Sequence, residues 1–312
     1  MKTIKLGLSG LTVPALAVGC MRMNSLSKSE AAGFVKNALD IGANFFDHAD
    51  IYGGGTCESI FAEAIGMNPA VREKIIIQSK CSIRPGVAFD FSREHIITST
   101  EGILKRLNTE YLDVLLLHRP DTLMEGEEVA AAFDQLHHSG KVRHFGVSNQ
   151  NPAQIRLLKK YVRQPIVADQ LQLSPTNAAM ITAGFHVNMQ DDGAVDRDGG
   201  VLEYCRLEDI TIQPWSPFQH HTFAGTYLGN PDFLKLNETL DELAVKYGDQ
   251  LGRQVTNTSM VMAWLGRHPA HFQPVTGTMN IQRLKECALG LDITLTRDEW
   301  YAIYLSAGNF LP

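Results

Sequence analysis

Two periods alternate along this chain. Short runs apolar on both faces recur, and between them apolar residues fall at helical spacing. The runs are Ala15 to Gly19, Asn44-Phe45-Phe46, Ile75 to Gln78, Val114 to Leu117, Val142 to Val147, Ile166 to Leu171, Ile210 to Gln213 and Phe272 to Val275. They predict eight strands. The first helix carries Ala31, Phe34, Val35 and Ala38 behind a Ser27/Glu30 capping box and stops at Gly42. Further helices are predicted over Glu58 to Ile65, after Ser92 with Ile96, Ile97, Ile103, Leu104 and Leu107 on one face, over Glu127 to Leu136, and after the Asn151-Pro152 cap. Ahead of the first unit, Leu6 to Leu8 and Leu11 to Val13 flank Ser9-Gly10 and read as a hairpin. Strands apolar on both faces belong to a parallel sheet covered on both sides. Eight strand–helix units therefore predict an α/β fold, a (β/α)8 TIM barrel with an N-terminal β-hairpin.

Composition narrows the picture only a little. A chain of 312 residues has room for two domains or one large barrel. No linker interrupts the units, so one domain spanning 1–312 is expected. With 44% hydrophobic and 20% charged residues, disordered and fibrous classes are excluded. A net charge of -6 and no basic patch speak against nucleic-acid binding. The five cysteines form no CxxC pair and are odd in number, which fits a reducing, cytoplasmic setting. The start, MKTIKLGLSG, has no signal-peptide pattern, and no apolar run approaches the roughly 20 residues of a membrane span. Residues 177–200 read as a surface loop, and the spacing of Asp196-Arg197-Asp198 fails the EF-hand pattern. His137-His138 and His220-His221 are sequence neighbours, poorly placed to chelate one ion. No metal site is expected. Phosphate-binding glycine loops, the G-x-S-x-G elbow and H-E-x-x-H are absent.

The chemistry emerges from the strand ends, where barrel enzymes place their active sites. The second strand ends in Asp47, with Tyr52 in the loop beyond it. The third runs through Ser79 into Lys80, and the fourth ends in His118. Three successive strands thus deliver an ionisable group to one rim. A lysine beside a tyrosine favours the tyrosinate and should lower its pKa. Asp47 can hold the lysine, and a neutral histidine can orient an oxygen. Such a set can protonate an oxygen that is becoming an alkoxide. With no metal or nucleophile motif, the missing partner is a hydride source, which implies a nicotinamide.

These residues carry a family resemblance. Phe46-Asp47-His48-Ala49-Asp50-Ile51-Tyr52-Gly53, Lys80, Leu117-His118-Arg119-Pro120 and the segment from Gly140 to Asn149 resemble the aldo-keto reductase family across nearly the whole chain. They are most similar to a bacterial branch of general oxidoreductases. The resemblance implies NADPH-dependent reduction of small-molecule carbonyls, with Tyr52 as general acid among Asp47, Lys80 and His118. It implies that Ser148, Asn149 and Gln170 hold the nicotinamide carboxamide and that Trp215 stacks on its ring, followed by Ser216. It places the 2'-phosphate on Arg283 and adenine on Glu286, while Thr276, Gly277 and Thr278, between the eighth strand and a helix starting near Asn280, offer backbone amides to a phosphate. Gly277 stands where many members have Lys, and Cys287 where many have Asn.

Met21, Arg22, Met23, His48, Phe89, Phe91, Arg119, His220 and Phe223 are candidate pocket residues. Arg119 either receives an acidic substrate or pairs with Asp50 or Asp121. A second functional reading is an NADP-binding regulatory subunit on the same fold, similar to potassium-channel β subunits.

Overall fold

The computed structural model describes residues 1–220 and 225–312. Eight parallel strands form one sheet: β1 (Ala17–Gly19), β2 (Phe45–Asp47), β3 (Ile76–Cys81), β4 (Leu112–Leu117), β5 (Val142–Ser148), β6 (Ile166–Gln170), β7 (Thr211–Ile212) and β8 (Val275–Thr276). Neighbours in sequence are neighbours in space, and β8 pairs with β1. Two backbone hydrogen bonds join the remaining edges, Gln273 N–H to the Ile212 carbonyl (3.1 Å) and Val275 N–H to the Pro214 carbonyl (2.8 Å). The sheet therefore closes into the (β/α)8 barrel.

Helices cover the outside: α1 (Lys28–Asp40), α2 (Thr56–Ile65), α3 (Arg93–Leu107), α4 (Gly126–His138), α5 (Pro152–Lys159), α6 (Val201–Leu207), α7 (Leu234–Leu251), α8 (Asn257–Arg267), α9 (Ile281–Asp292) and α10 (Arg297–Ser306). The Ser27/Glu30 capping box forms, and Asn151 builds another with Gln154. The apolar stripe of each helix enters the outer core, as with Phe34, Ile103, Phe133 and Ile155. α8 and α10 are pinned by Trp264 stacked on Trp300 at 5.2 Å. No helix among the described residues is long and apolar enough to cross a membrane.

The N-terminal hairpin forms, but its arms are Thr3–Lys5 and Thr12–Pro14. The first arm thus lies ahead of the predicted Leu6 to Leu8. Leu6 instead turns inward, and Gly7–Ser9 is a short 3-10 turn. Leu6 and Val13 plug the lower end of the barrel, where they meet Phe45, Val114, Leu116 and Val167. Gly7 is required at this plug. Its φ is +46°, and an added Cβ would lie 2.3 Å from the Val167 carbonyl oxygen.

Residues 177–200 are not a bare loop. They contain a short helix, Ala179–Phe185, and a 3-10 turn at Asp192–Ala194. Fully buried His186 fastens the segment, with Nδ1 on Asp191 at 2.8 Å and Nε2 on the Phe310 carbonyl at 3.3 Å.

Candidate active site

Strand alternation aims the chemistry inward. In β2, Phe45 belongs to the barrel interior, so Asp47 two residues on shares its face. In β3, Ile76 packs against the interior, and Gln78 and Lys80 follow on the same side. Leu116 in β4 puts His118 there too. The period-two rule therefore brings the three strand-end groups to the upper end of one interior. Tyr52 joins them from a 3-10 turn, Tyr52–Gly55, that leads into α2.

Lys80 is the hub. Its Nζ donates to Asp47 Oδ2 (2.7 Å), to the His48 carbonyl (2.7 Å) and to Tyr52 Oη (3.2 Å). The lysine is wholly buried and Asp47 only 1% exposed, so the pair is desolvated on both sides. Burial opposes the Lys80 charge, but Asp47 and Tyr52 outweigh it and its pKa is raised. The His118 ring lies edge-on to Tyr52, 6.1 Å between centroids. Burial first, then Lys80 and Arg119, press the His118 pKa well below its ordinary value, so the imidazole is neutral.

One electrostatic expectation reverses. Tyr52 is pushed up, not down. Burial is the largest cause; Lys80 pulls the other way, and Asp47 partly cancels it. Tyr52 therefore holds its proton firmly in the resting site.

The other rim residues form one connected wall. The Ser148 hydroxyl donates to the Gln170 carbonyl (2.8 Å). Asn149, in the left-handed region at φ +57°, donates through Nδ2 to Ser148 Oγ (2.8 Å) and accepts the Trp215 indole N–H (3.1 Å). Ser216 is also left-handed, at φ +54°, and its hydroxyl bonds Gln219. Gln170 faces Asp47, with Nε2 on Oδ1 at 3.1 Å. Arg119 is half-buried and lies 5.9 Å from the Trp215 ring centre. It forms no ion pair with Asp50 or Asp121; Asp121 instead caps the Phe91 and Leu123 N–H groups.

Thr276, Gly277 and Thr278 follow β8. Asn280 caps α9 by accepting the Arg283 backbone N–H (3.1 Å), and the Arg283 side chain is exposed. Glu286 accepts from Thr256 (3.1 Å) and Gln282 (3.5 Å). Cys287, where many members have Asn, faces inward. It is fully buried with Sγ 3.9 Å from Thr276 Oγ1, and burial pushes its thiol up to about 12.

The expected pocket residues divide by burial. Met23 and Phe91 are core, whereas Met21, Arg22 and Phe89 are exposed. Phe223 and His221 fall outside the described residues. His220 is half-buried with its ring 5.1 Å from Phe233. Among the described residues no group of three His, Cys, Asp or Glu is placed to hold a metal ion.

His48 also misses the pocket. It is fully buried against the edge of Phe61, 4.6 Å between ring centres, and neither ring nitrogen has a partner. Burial first, then Lys80, lower its pKa to about 3. An unfolded histidine titrates near 6.5, so between about pH 6.5 and 3 the unfolded chain binds a proton that the folded chain refuses. Stability on this account is full above pH 6.5 and falls as pH drops, by about 2 kcal/mol at pH 5. Asp50, raised to about 6 mainly by burial, contributes the opposite sign between about pH 4 and 6. Comparing His48→Leu with the parent isolates the histidine. Urea titrations should show a smaller loss between pH 7 and 5 in the variant; an equal loss contradicts the assignment.

Sequence reading missed Ser82 and three glutamines. Ser82, at φ +104°, accepts the His118 (3.0 Å) and Arg119 (3.3 Å) N–H groups and so sets the turn that presents both. Gln78, Gln213 and Gln273 are wholly buried inside the barrel. Their signal was available: β3 carries a glutamine on its inward face, one follows β7 and one precedes β8.

Comparison with known proteins agrees with this architecture. The aldo/keto reductase family pattern matches residues 15–304. Oxidoreductase YdhF of Escherichia coli (strain K12) is 35% identical over 292 residues, covering 91% of this chain and 89% of that protein. A 6-dehydroglucose reductase of Novosphingobium aromaticivorans is 31% identical over 320 residues, covering 99% and 96%. A crystal structure of a Bombyx mori aldo-keto reductase in complex with NADP superposes with a TM-score of 0.74 at 22% identity, covering 98% of this chain and 92% of that one. A barrel matched by the family pattern from its first strand to its last helix, with relatives aligned along nearly its whole length, places this chain in the aldo/keto reductase family, as an oxidoreductase.

Proposed function

We propose that the protein reduces aldehyde or ketone carbonyls to alcohols with NADPH, with Tyr52 as general acid. The observation that carries this reading is the contact of Tyr52 Oη with a buried lysine ammonium that Asp47 holds in place. The reductase name of the Novosphingobium relative and the NADP bound to the Bombyx mori protein support it. The reading takes residues 1–312 as one domain. It sets the protein in the cytoplasm, in keeping with five unpaired, buried cysteines.

The residues present fit such a cofactor. Both N–H groups of Gln170 are used, on Asp47 and Gln213, which leaves Oε1 for a carboxamide N–H. Ser148 and Asn149 stand beside it, and Trp215 supplies a ring for the nicotinamide. A Cβ on Gly277 would meet nothing nearer than Arg22 Nη1 at 4.0 Å, so its backbone is open to a phosphate with Ser216, Thr276 and Thr278. Arg283 would grip a 2'-phosphate and Glu286 the adenine.

When bound, NADPH supplies the hydride. The protein's own residues handle the oxygen. Neutral His118 has an N–H to donate to the carbonyl oxygen and orients it. As negative charge builds there, Tyr52 transfers its proton. Burial keeps that proton on Tyr52 beforehand, and the Lys80 charge stabilises the tyrosinate left behind.

Arg283→Ala tests the cofactor assignment. A lost charge-assisted contact to phosphate is expected to weaken NADPH binding roughly ten- to hundredfold and leave NADH nearly unchanged. Fluorescence titration reads both. Equal affinity of the parent for NADPH and NADH, or no loss in the variant, contradicts the role of Arg283.

A further inference from the structure

Four glutamines run through the barrel from the candidate active site to the N-terminal hairpin. Gln78 Nε2 donates to Asp47 Oδ1 (2.6 Å) and to Gln213 Oε1 (2.8 Å). Gln170 Nε2 donates to the same two atoms, at 3.1 and 3.2 Å. Gln213 Nε2 donates to Gln78 Oε1 (3.1 Å) and to Gln273 Oε1 (2.8 Å). Gln273 Nε2 donates to the Pro14 carbonyl (2.8 Å) in the hairpin. Gln78, Gln213 and Gln273 are wholly buried and Gln170 is 4% exposed.

The direction of every amide follows from the two ends. The Pro14 carbonyl can only accept, so Gln273 must turn its nitrogen toward it. Gln273 Oε1 then accepts from Gln213, and Gln213 Oε1 accepts from Gln78 and Gln170. Those two are left with N–H groups aimed at Asp47. A flip of any one amide sets donor against donor or acceptor against acceptor along the chain, and buried mismatches of that kind cost about 1–3 kcal/mol each. Apolar side chains would fill the same space without that risk. The lower barrel, with Phe45, Val114 and Leu116, is filled that way.

We infer that Gln78, Gln213 and Gln273, together with Gln170, are positioning residues that fix the Asp47 carboxylate from the hairpin upward. Resting on the function proposed above, this gives Asp47 two separate tasks. Its Oδ1 is locked by two amide donors, and its Oδ2 is thereby presented to Lys80, which reaches Tyr52. The hairpin is part of the same device, because it supplies the acceptor that orients the chain.

The test uses the whole protein and three substitutions of similar length, Gln78→Met, Gln213→Met and Gln273→Met. The expected effect on kcat is graded by distance from Asp47. Gln78→Met lowers kcat roughly ten- to hundredfold, the scale of a lost hydrogen bond to a charged group. Gln213→Met loses less and Gln273→Met least, while NADPH affinity stays within about twofold in Gln78→Met and Gln273→Met, neither of which bonds to Gln170 or removes a cofactor contact. Equal kcat losses at all three positions would mark the chain as structural filling and overturn the inference. So would a parental kcat in folded Gln78→Met. Should the variants fail to fold, side-chain amide hydrogen exchange in the parent decides. The Gln78 and Gln213 NH2 groups are expected to exchange far more slowly than that of exposed Gln254. Exchange as fast as Gln254 overturns the inference. This arm needs no turnover, so failure of the reductase reading, seen as undiminished reduction by Tyr52→Phe, is told apart from failure of the chain.

Discussion

Tyr52→Phe is expected to lower carbonyl-dependent turnover by about 10²–10⁴-fold, the usual contribution of a positioned general acid. NADPH binding should survive, because the hydroxyl faces Lys80 and the assigned cofactor contacts lie on other elements of the fold. The phenyl ring keeps the edge contact with His118 and removes only the proton and its contact with Lys80. Steady-state kinetics together with a fluorescence titration of NADPH separate the two effects. A variant that reduces carbonyls at the parental rate removes Tyr52 from the mechanism. A variant that no longer binds NADPH shows instead that the site has collapsed.

The second large effect is on stability. Lys80→Met leaves the buried Asp47 carboxylate without its cation, and breaking a buried pair from one side costs about 3–5 kcal/mol. Urea unfolding should show that loss as a lower midpoint at an unchanged slope. Turnover should vanish with it, since nothing then steadies a tyrosinate. Adding Asp47→Asn to Lys80→Met should recover part of the stability, because the orphan charge is gone while an amide oxygen still accepts from Gln78 and Gln170, and none of the activity. If Lys80→Met is as stable as the parent, Lys80 and Asp47 do not form the desolvated pair described above.

Much of this was legible in the sequence, for a definable reason. Parallel barrel strands are apolar on both faces, so a charged or polar residue at their ends stands out. Asp47, Lys80 and His118 do so, and the structure brings them together with Tyr52. Glycine and capping signals marked the early helices, as at Ser27 and Asn151. The helices from Leu234 to Arg267 were not read, because α7 and α8 lie in a long stretch between the last two strands. The first hairpin arm was misplaced because Leu6 is apolar for a different purpose, plugging the barrel. Sequence order cannot show which way a loop side chain points, which is why Met23, Phe91 and His48 were expected in the pocket and lie in the core. Nor can it weigh burial against charge. The Lys80 charge alone predicts a lowered Tyr52 pKa, whereas desolvation makes the net shift upward. The glutamines were visible as letters, but their partnership depends on the closure of β7 onto β8.

On the proposed function this barrel turns over carbonyl substrates and does not merely hold a nucleotide. The most direct measurement follows NADPH absorbance with purified protein and a panel of aldehydes, ketones and diketones, run beside Tyr52→Phe. NADPH oxidation that requires both a carbonyl and Tyr52 is expected. Tight NADPH binding with no carbonyl-dependent oxidation across the panel would contradict it and favour a regulatory, nucleotide-sensing role for the same fold.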